Sequence, residues 1–273
     1  LSRLMVGREL ARRTKPRIEP GDAVLELKDV VIGGGKGGKP ILGGVSFTVR
    51  AGEIVGIAGV SGNGQSELLQ AISGLRRIDG GSINVCGKDV TNRTPKHVRE
   101  AGLAHIPEDR YLWGAAKEES VADNGVMGHL ASHSAGGFLK RKKIRETVRR
   151  FVDSFGIKTD RLDAPASHLS GGNMQKLIAA RELAHGTPFV IAAEPTRGVD
   201  IGAMEAIHEA LLKRREEGGG VLLVSSELTE ILKLSDRILV LYEGKIAGEF
   251  TADEATEHSV GLLMAGGNVH VTA

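Results

Sequence analysis

Short apolar segments recur along the chain between polar stretches, and their pattern predicts both strands and helices. The run Ile54–Ala58 is long enough for a strand buried on both faces but too short for a helix. After it, Leu68, Ile72 and Leu75 recur at i, i+4 and i+7, which predicts the buried face of a helix. Strand-like runs that alternate with helical stretches indicate an α/β fold around a largely parallel sheet. The other buried-strand candidates are residues 189–193, 221–225 and 237–242, and residues 24–27 and 45–49 are predicted to form an antiparallel layer.

Composition limits the classes of protein that the chain can belong to. The chain has 273 residues, of which 41% are hydrophobic and 26% charged, so it can bury a sizeable core. Its formal net charge of +2 gives no overall attraction to nucleic acid. One cysteine, Cys86, excludes an internal disulfide and suits a reducing compartment. No apolar run reaches the ~20 residues of a membrane span, and no signal peptide is visible. We therefore expect a soluble, cytosolic chain that contacts a membrane only through a partner.

A glycine-rich turn joins the first apolar run to the helix that follows it. Residues 59–66 read Gly-Val-Ser-Gly-Asn-Gly-Gln-Ser, which fits the phosphate-binding pattern G-x-x-x-x-G-K-[ST] except that Gln65 replaces the lysine. In such a turn, backbone N–H groups at a helix N-terminus converge on phosphate oxygens. Ser66 has a hydroxyl where a Mg²⁺ ligand belongs. An ordinary glycine-rich turn is the alternative, but the strand–turn–helix context favours nucleotide binding. The predicted phosphate-binding residues are Gly59, Ser61, Gly62, Asn63, Gly64, Gln65 and Ser66.

Two further motifs follow in a fixed order. Residues 169–176 read Leu-Ser-Gly-Gly-Asn-Met-Gln-Lys and precede a helical stretch that runs through Ala184. Thirteen residues after Lys176 begins Phe-Val-Ile-Ala-Ala-Glu-Pro-Thr, followed by Arg-Gly-Val-Asp at 197–200. The order and spacing of these motifs resemble the P-loop, signature, Walker B strand and D-loop of ABC-type ATPases.

The resemblance implies a fold and a domain organisation. We expect a P-loop ABC-type ATPase domain with a RecA-like parallel-sheet core, an antiparallel β layer and an inserted helical subdomain. Residues 23–110 and 171–273 would form the core, and residues 111–170 the helical (signature) subdomain. The polar and basic residues 1–22 are expected to be a linker from a preceding ATPase domain. The reason is that Leu-Met-Val-Gly at 4–7 is similar to Leu-Met-Ala-Gly at 263–266, and some importers of the family carry two such domains in one polypeptide.

ABC ATPases bind ATP and Mg²⁺ between two domains packed head to tail, so each chain contributes to two sites. In the site on this chain's own P-loop, Gln65 offers phosphate only a neutral hydrogen bond. A charge-assisted bond contributes roughly 1.5–3 kcal/mol, about twice as much. No aromatic residue precedes Phe47 to stack on adenine, a contact that contributes ~1–3 kcal/mol. Together these losses predict ATP binding weaker by ~10²-fold.

The resemblance also assigns roles to single residues near this P-loop. Ala193 stands at the Walker B aspartate and Ser226 at the catalytic switch histidine, so both positions lack the expected side chain. Glu194 remains as a base that can orient water. Glu108 stands at the Q-loop glutamine and, with Ser66, would hold Mg²⁺. We therefore expect a weak or inactive site.

The signature is complete, and in this family it faces the partner domain's nucleotide. Ser170 can donate its hydroxyl to a γ-phosphate, and the N–H groups of Gly171 and Gly172 can approach it closely because no side chain intervenes. Asp200 belongs to the D-loop, among the nucleotide-binding positions. The sequence therefore predicts that this chain completes an active site on a second ABC ATPase domain.

Finer similarity is to the C-terminal ATPase domain of bacterial importers for simple sugars and nucleosides. It is carried by Gly-Asn-Gly-Gln at 62–65, Ile-Pro-Glu-Asp-Arg at 106–110 and Ala-Ala-Glu-Pro-Thr-Arg-Gly-Val-Asp at 192–200. It implies transmembrane permease subunits as partners, an external solute-binding protein indirectly, and a place at the cytoplasmic face of the membrane. Tyr111 and Trp113 are candidates for the permease contact, with core or loop packing as the alternative.

The competing interpretation is an ABC ATPase that acts on ribosomes or DNA. Such proteins would favour long basic inserts or zinc-binding cysteines, and the sequence has neither. The basic stretch 140–143 is better explained as a solvated helix face, because no aromatic residues alternate with the cations to stack on bases. We therefore expect no nucleic-acid partner.

Overall fold

The computed structural model describes residues 15–33, 38–159 and 161–267. Within these residues, the strands in chain order are β1 (Ala23–Ile32), β2 (Leu42–Arg50), β3 (Ile54–Ala58), β4 (Gly80–Val85), β5 (Lys88–Asp89), β6 (Leu103–Ile106), β7 (Ser134–Ala135), β8 (Phe138–Leu139), β9 (Phe189–Ala193), β10 (Gly220–Val224), β11 (Arg237–Tyr242) and β12 (Lys245–Thr251). The α-helices are α1 (Gln65–Ile72), α2 (Pro95–Ala101), α3 (Val121–Asn124), α4 (Arg141–Phe155), α5 (Gly171–Leu183), α6 (Ile201–Glu216), α7 (Leu228–Leu234) and α8 (Glu257–Met264). A π-helical turn spans Arg110–Gly114, and 3₁₀ turns span Leu130–His133 and Ala166–His168.

Strand β3 lies inside a six-stranded sheet of order β12-β11-β3-β10-β9-β6. Strands β11, β3, β10, β9 and β6 run parallel, and β12 is antiparallel at one edge. Every residue of β3, β9 and β10 is buried, which explains their unbroken apolar sequences. A second, antiparallel sheet has the order β2-β1-β4-β5. The predicted α/β fold with a parallel core and an antiparallel layer is confirmed.

Helix α1 is shorter than its apolar pattern predicts. Leu68 and Ile72 are fully buried as expected, but the helix ends at Ile72 and Leu75 lies in the turn that follows. Gly74 has a φ of 76°, a left-handed conformation that commonly ends a helix. The prediction was therefore wrong about Leu75, because a period of apolar residues does not show where the backbone leaves the helix.

The segment 111–170 contains α3, α4, the hairpin β7–β8 and two 3₁₀ turns. Helix α4 buries Ile144 and Val148 in the same apolar cluster as Met174 and Leu177 of α5. The packing therefore continues past residue 170, although α5 begins at Gly171. The division into a core and a helical subdomain stays a prediction.

The described part of the predicted linker, residues 15–22, lies against the core. The Lys15 ammonium is 3.8 Å from a carboxylate oxygen of Asp236, and the Gly21 N–H donates to the carbonyl of Ala51 at 2.9 Å. Residues 4–7, which are similar in sequence to residues 263–266, lie outside the described residues. The role of residues 1–22 as a linker stays a prediction.

A buried carboxylate joins α2, α5 and β6. Glu182 is fully buried and accepts hydrogen bonds from Arg99 at 3.0 Å and from the adjacent Arg181 at 2.8 Å. Burial alone would raise the pKa of Glu182, but His129 and the two guanidinium groups hold it well below its usual range. The backbone N–H of His105, in β6, also donates to this carboxylate at 3.3 Å. The ionised carboxylate thus fixes β6 against the helices just ahead of Glu108.

The thermal stability of the chain is expected to fall between pH 7 and pH 5, partly through His105. Burial lowers the pKa of this imidazole from 6.5 to about 4, although the Glu182 carboxylate opposes the shift. Between those values the unfolded chain binds a proton that the folded chain does not, so stability falls as the pH falls. Below about pH 4 both states are protonated and the effect stops growing. At pH 5 the loss of stability is ~2 kcal/mol.

In scanning calorimetry, the drop in Tm should be smaller for His105→Gln than for the wild type, whereas the exposed His258→Gln should keep the full drop. Equal drops for His105→Gln and the wild type would contradict this account.

Candidate functional site

The predicted site residues around the P-loop lie at one edge of the large sheet. The P-loop follows β3, Glu108 follows β6, Glu194 follows β9 directly and Ser226 follows β10. Because these four strands run parallel, their carboxyl ends meet at the same edge. This edge is where an open α/β sheet commonly binds its ligand.

The P-loop has a backbone that only glycine adopts easily. Gly62 and Gly64 have φ values of 91° and 105°, which side chains of L-residues disfavour. A Cβ on Gly62 would meet no heavy atom within 4 Å, so one side of the turn is open. Asn63 fixes the turn, because its amide donates to the Val60 carbonyl at 3.0 Å and its Oδ1 accepts from the Glu243 N–H at 2.8 Å. The turn can therefore present its backbone to an anion.

Gln65 is folded into the loop. It is the first residue of α1, is only 8% exposed, and donates from Nε2 to the Val60 carbonyl at 3.1 Å. A Cβ on Gly59 would lie 2.4 Å from the same nitrogen, so the amide lies directly over that glycine. The side chain thus forms a hydrogen bond across the inside of the loop and provides no positive charge to a phosphate.

The two predicted Mg²⁺ ligands are in contact. The hydroxyl of Ser66 donates to Oε2 of Glu108 at 2.9 Å. Two oxygens of one Mg²⁺ octahedron are about 2.9 Å apart when each metal–oxygen distance is about 2.1 Å. The spacing and the oxygen chemistry of this pair therefore fit a Mg²⁺ ion. Ala193, the buried last residue of β9, offers no further oxygen from its side chain.

The two predicted catalytic residues are joined by hydrogen bonds. The backbone N–H and the hydroxyl of Ser226 donate to the two carboxylate oxygens of Glu194, at 2.6 and 3.0 Å. Glu194 has a φ of 48°, a left-handed conformation that is strained for a residue with a side chain. The N–H of Glu194 donates to the Val224 carbonyl at 2.8 Å, which keeps it at the end of β10. The carboxylate is therefore held in one orientation by Ser226, where it can accept a proton from water.

The signature turn is a helix N-terminus built from Ser170, Gly171 and Gly172. Ser170 caps α5 by accepting from the N–H and the side-chain amide of Asn173, at 3.4 and 2.9 Å. A Cβ on Gly172 would lie 2.8 Å from the Gly198 carbonyl oxygen, so this position needs glycine for close approach of the backbone. The Ser170 hydroxyl and the first N–H groups of α5 together can bind an anion. Among the described residues, none of the three signature residues forms a hydrogen bond with the P-loop.

Asp200 connects the signature helix to the next helix. It caps α6 by accepting from the Ala203 N–H at 2.9 Å and lies 2.7 Å from the Lys176 ammonium of α5. The hydrogen bond from Lys176, followed by that from Ala203, holds the pKa of Asp200 below its usual range. Within the described residues, this carboxylate is thus bound by α5 and by its own helix, and it belongs with the signature rather than with the P-loop.

Sequence reasoning missed Arg110 as a part of the site. Its guanidinium donates to the Arg197 carbonyl at 3.0 Å, and a Cβ on Gly171 would lie 2.8 Å from one of its nitrogens. Arg110 therefore links the loop after β6 to both the D-loop and the signature turn. Only its place next to Glu108 could have indicated this, because the contact joins segments far apart in sequence. Tyr111 and Trp113 follow it in the π-helical turn with exposures of 41% and 45%, so core packing is wrong for these two.

Comparisons with known proteins agree with this geometry. The family model described as "ABC transporter" matches residues 42–197. Among curated relatives, the nucleoside import ATP-binding protein NupA of Lactococcus lactis is 43% identical over 99% of this chain and 54% of its own length. The glucose import ATP-binding protein TsgD13 of Haloferax volcanii is 44% identical over 98% of this chain and 49% of its own length. The chain therefore spans about half the length of the curated relatives it matches.

Solved structures show the same fold. An ATP-binding subunit of an ABC transporter has a TM-score of 0.72 at 24% identity and covers 89% of this chain and 99% of its own. A dimeric ATP-binding cassette in a post-hydrolysis state, bound to ADP and Pi, has a TM-score of 0.72 at 21% identity. This second structure covers 84% of this chain and 98% of its own. From the family match, the relatives that match nearly all of this chain and the sheet edge that carries the P-loop, we conclude that the chain belongs to the ABC transporter family and has the fold of its ATP-binding domains.

Proposed function

We propose that this chain is an ATP-binding subunit or domain of an importer, which couples ATP binding and hydrolysis to the uptake of a small polar solute. Its relatives NupA and TsgD13, named for nucleoside and glucose import, support this class of solute. The observation that carries the proposal is the asymmetry of its two surfaces. The signature is complete and presents an exposed Ser170 hydroxyl at the N-terminus of α5, whereas the P-loop has, in place of the lysine, an uncharged amide that is already hydrogen-bonded within the loop.

The site on this chain's own P-loop binds ATP weakly. Gln65 already donates to the Val60 carbonyl, and a phosphate would have to compete for that amide. Ala193 adds no Mg²⁺ ligand, and Ser226 holds the Glu194 carboxylate but has no imidazole for a γ-phosphate. ATP bound here would depend on the backbone of the loop, with Ser66 and Glu108 for the Mg²⁺ ion.

The signature of this chain completes the site of a partner domain whose P-loop keeps its lysine. Ser170 would donate to the γ-phosphate, and the N–H groups of Gly171 and Gly172 would neutralise charge that develops during hydrolysis. Asp200 and Arg110 brace this turn from α6 and from the loop after β6. We propose that the partner domain belongs to the same polypeptide, which the roughly twofold length of the relatives supports.

Permease subunits are the proposed membrane partners, with an external solute-binding protein upstream of them. In the part of the chain that the structure describes, no helix is long and apolar enough to cross a bilayer. Trp113 lines a cleft between α1 and the loop after β6, together with Ser66, Leu69 and Glu108. A permease loop that packs over this narrow cleft would lie beside the Mg²⁺ ligands of the weak site. We therefore propose that the protein acts at the cytoplasmic face of the membrane.

The chain is expected to co-purify with a polytopic membrane protein from detergent extracts of its host. Trp113→Ser should remove most of that protein from the complex, because an exposed indole in the proposed cleft is replaced by a small polar side chain. Leu262→Ser, which changes another exposed apolar residue, is the matched control and should leave the complex intact. Mass spectrometry of the eluted proteins provides the measurement. Recovery of ribosomal proteins or DNA instead of a membrane protein would contradict the importer and favour the competing class.

A further inference from the structure

A small hairpin projects an aromatic residue from the segment between α3 and α4. Strands β7 and β8 pair Ala135 with Phe138 across a two-residue turn, Gly136-Gly137. Both glycines have a positive φ, 58° and 83°, as a type I′ hairpin turn requires. The sequence therefore specifies a tight hairpin here and sets the position of Phe138 directly after the turn.

The tip of this hairpin is apolar and exposed. Phe138 is 80% exposed, the highest value for a large hydrophobic side chain in the described ranges. Leu139, the next residue of β8, is 37% exposed, and Leu130, in the 3₁₀ turn before β7, is 46% exposed. A folded chain usually hides such a group of side chains unless another surface covers it. Within the described ranges Phe138 stays uncovered, so a covering surface would have to lie beyond those residues.

Four cations follow this apolar tip in the sequence. Lys140, Arg141, Lys142 and Lys143 follow Phe138 and Leu139 directly, and residues 125–145 contain no acidic residue. Three of the cations lie in the first turn of α4, where the helix dipole favours acidic side chains. Their positive charge is therefore unfavourable at the N-terminus of α4. This indicates that the charge serves a contact with a partner.

Two of these cations have no polar partner among the described residues. Arg141 pairs with Asp123, and the Lys143 ammonium donates to the Ser132 carbonyl at 2.8 Å. The ammonium groups of Lys140 and Lys142 have neither a hydrogen bond nor an ion pair with any residue that the structure describes. Both side chains are exposed, two and four residues after Phe138 in the sequence.

We propose that this hairpin surface, formed by residues 138–143, contacts anionic lipid headgroups. Phe138 would enter the boundary between headgroups and acyl chains, as interfacial aromatic residues do. The cations would face the headgroup phosphates, where each Lys or Arg strengthens binding about fivefold. The chain would then have its own contact with the membrane, in addition to the proposed permease subunits. The sequence predicts membrane contact only through a partner, and this proposal departs from that prediction.

The shape and charge of the hairpin surface favour lipid over other anions. An exposed apolar tip followed by positive charges matches a planar layer of anionic headgroups and needs no groove in its partner. Nucleic acid would be expected to meet several stacking side chains, and Phe138 is the only aromatic residue of this surface.

Sedimentation with lipid vesicles tests the proposal without nucleotide, so the outcome is separate from ATP binding. The 273-residue chain is expected to bind vesicles that contain phosphatidylglycerol as about a third of their lipid, and to bind pure phosphatidylcholine much less. Added salt should weaken this binding. Phe138→Ser should lower the partition coefficient by ~10-fold. The double variant Lys140→Gln with Lys142→Gln should lower it by ~25-fold.

Matched controls separate this surface from general effects of charge and hydrophobicity. Leu262→Ser and Lys96→Gln change an exposed apolar residue and an exposed cation elsewhere, and should bind like the wild type. Circular dichroism and thermal unfolding of each variant show whether the fold is kept. Three outcomes would overturn the proposal. The wild type could show no preference for anionic vesicles, or the Phe138 and lysine variants could bind vesicles as well as the wild type does. These variants could also lose their permease complexes while their vesicle binding stays unchanged. Duplex DNA that competes fully with the vesicles would also overturn it, in favour of a general polyanion site.

Discussion

Replacing Ser170 by alanine is expected to lower ATP turnover of the assembled complex by ~10²–10³-fold. The hydroxyl lies at the N-terminus of α5, beside the N–H groups of Gly171 and Gly172, and would donate to a γ-phosphate held by the partner domain. Removing one donor that stabilises developing charge has a large effect because nothing else in the turn can replace it. The measurement is vanadate-sensitive ATP hydrolysis by the complex of this chain with its partner domain and permease.

The control for this variant has to account for the role of Ser170 as a helix cap. Its loss removes the hydrogen bonds with Asn173, which costs about 1 kcal/mol of stability. Ser120→Ala removes an equivalent cap, because the Ser120 hydroxyl accepts from the Asp123 N–H at 3.0 Å at the start of α3. We expect Ser120→Ala to leave turnover near the wild-type value. Equal losses in the two variants would assign the effect of Ser170 to helix capping alone.

Replacing Gln65 by lysine is expected to strengthen ATP binding to the isolated chain by ~10-fold. Gln65 now donates a neutral hydrogen bond to the Val60 carbonyl within the loop. A lysine there would carry a charge and form a charge-assisted bond with a phosphate, which is about twice as strong as a neutral one. Isothermal titration calorimetry with ATP and Mg²⁺ measures the change in Kd.

Gln70→Lys is the matched control for the added charge. It places the same ammonium on the same helix, but five positions away from the loop. We expect a change well below that of Gln65→Lys, because this half-buried position lies on the side of α1 that lines the cleft with Glu108 and Trp113, outside the P-loop. If both variants raised the affinity equally, net charge rather than the lost lysine would explain the weakness of the site.

The sequence was informative where the chemistry depends on neighbouring residues. The P-loop and the signature turn are local structures. Their left-handed or closely packed backbone positions are occupied by glycine, which the sequence shows directly. The burial of β3, β9 and β10 on both faces produced runs that could be recognised as strands.

Contacts between distant segments could not be predicted. The hydrogen bonds between Ser66 and Glu108, and between Glu194 and Ser226, exist because the sheet brings separate strand ends together. The position of Arg110 over Gly171 likewise depends on the packing of the loop after β6 against α5. The exposure of Phe138 also could not be predicted from the hydrophobic pattern, because an apolar residue beside a glycine pair fits a core strand equally well.

The division of labour between the two surfaces is tested most directly by comparing Ser170→Ala with Gln65→Ala in one assay. Both variants are measured in the same assembled complex, as vanadate-sensitive ATP hydrolysis at saturating ATP. We predict that Ser170→Ala lowers turnover by ~10²–10³-fold and Gln65→Ala changes it little, because only the signature of this chain acts at a competent site. The reverse ranking, with Gln65→Ala inactive and Ser170→Ala active, would show that the P-loop of this chain hydrolyses ATP and would contradict the account.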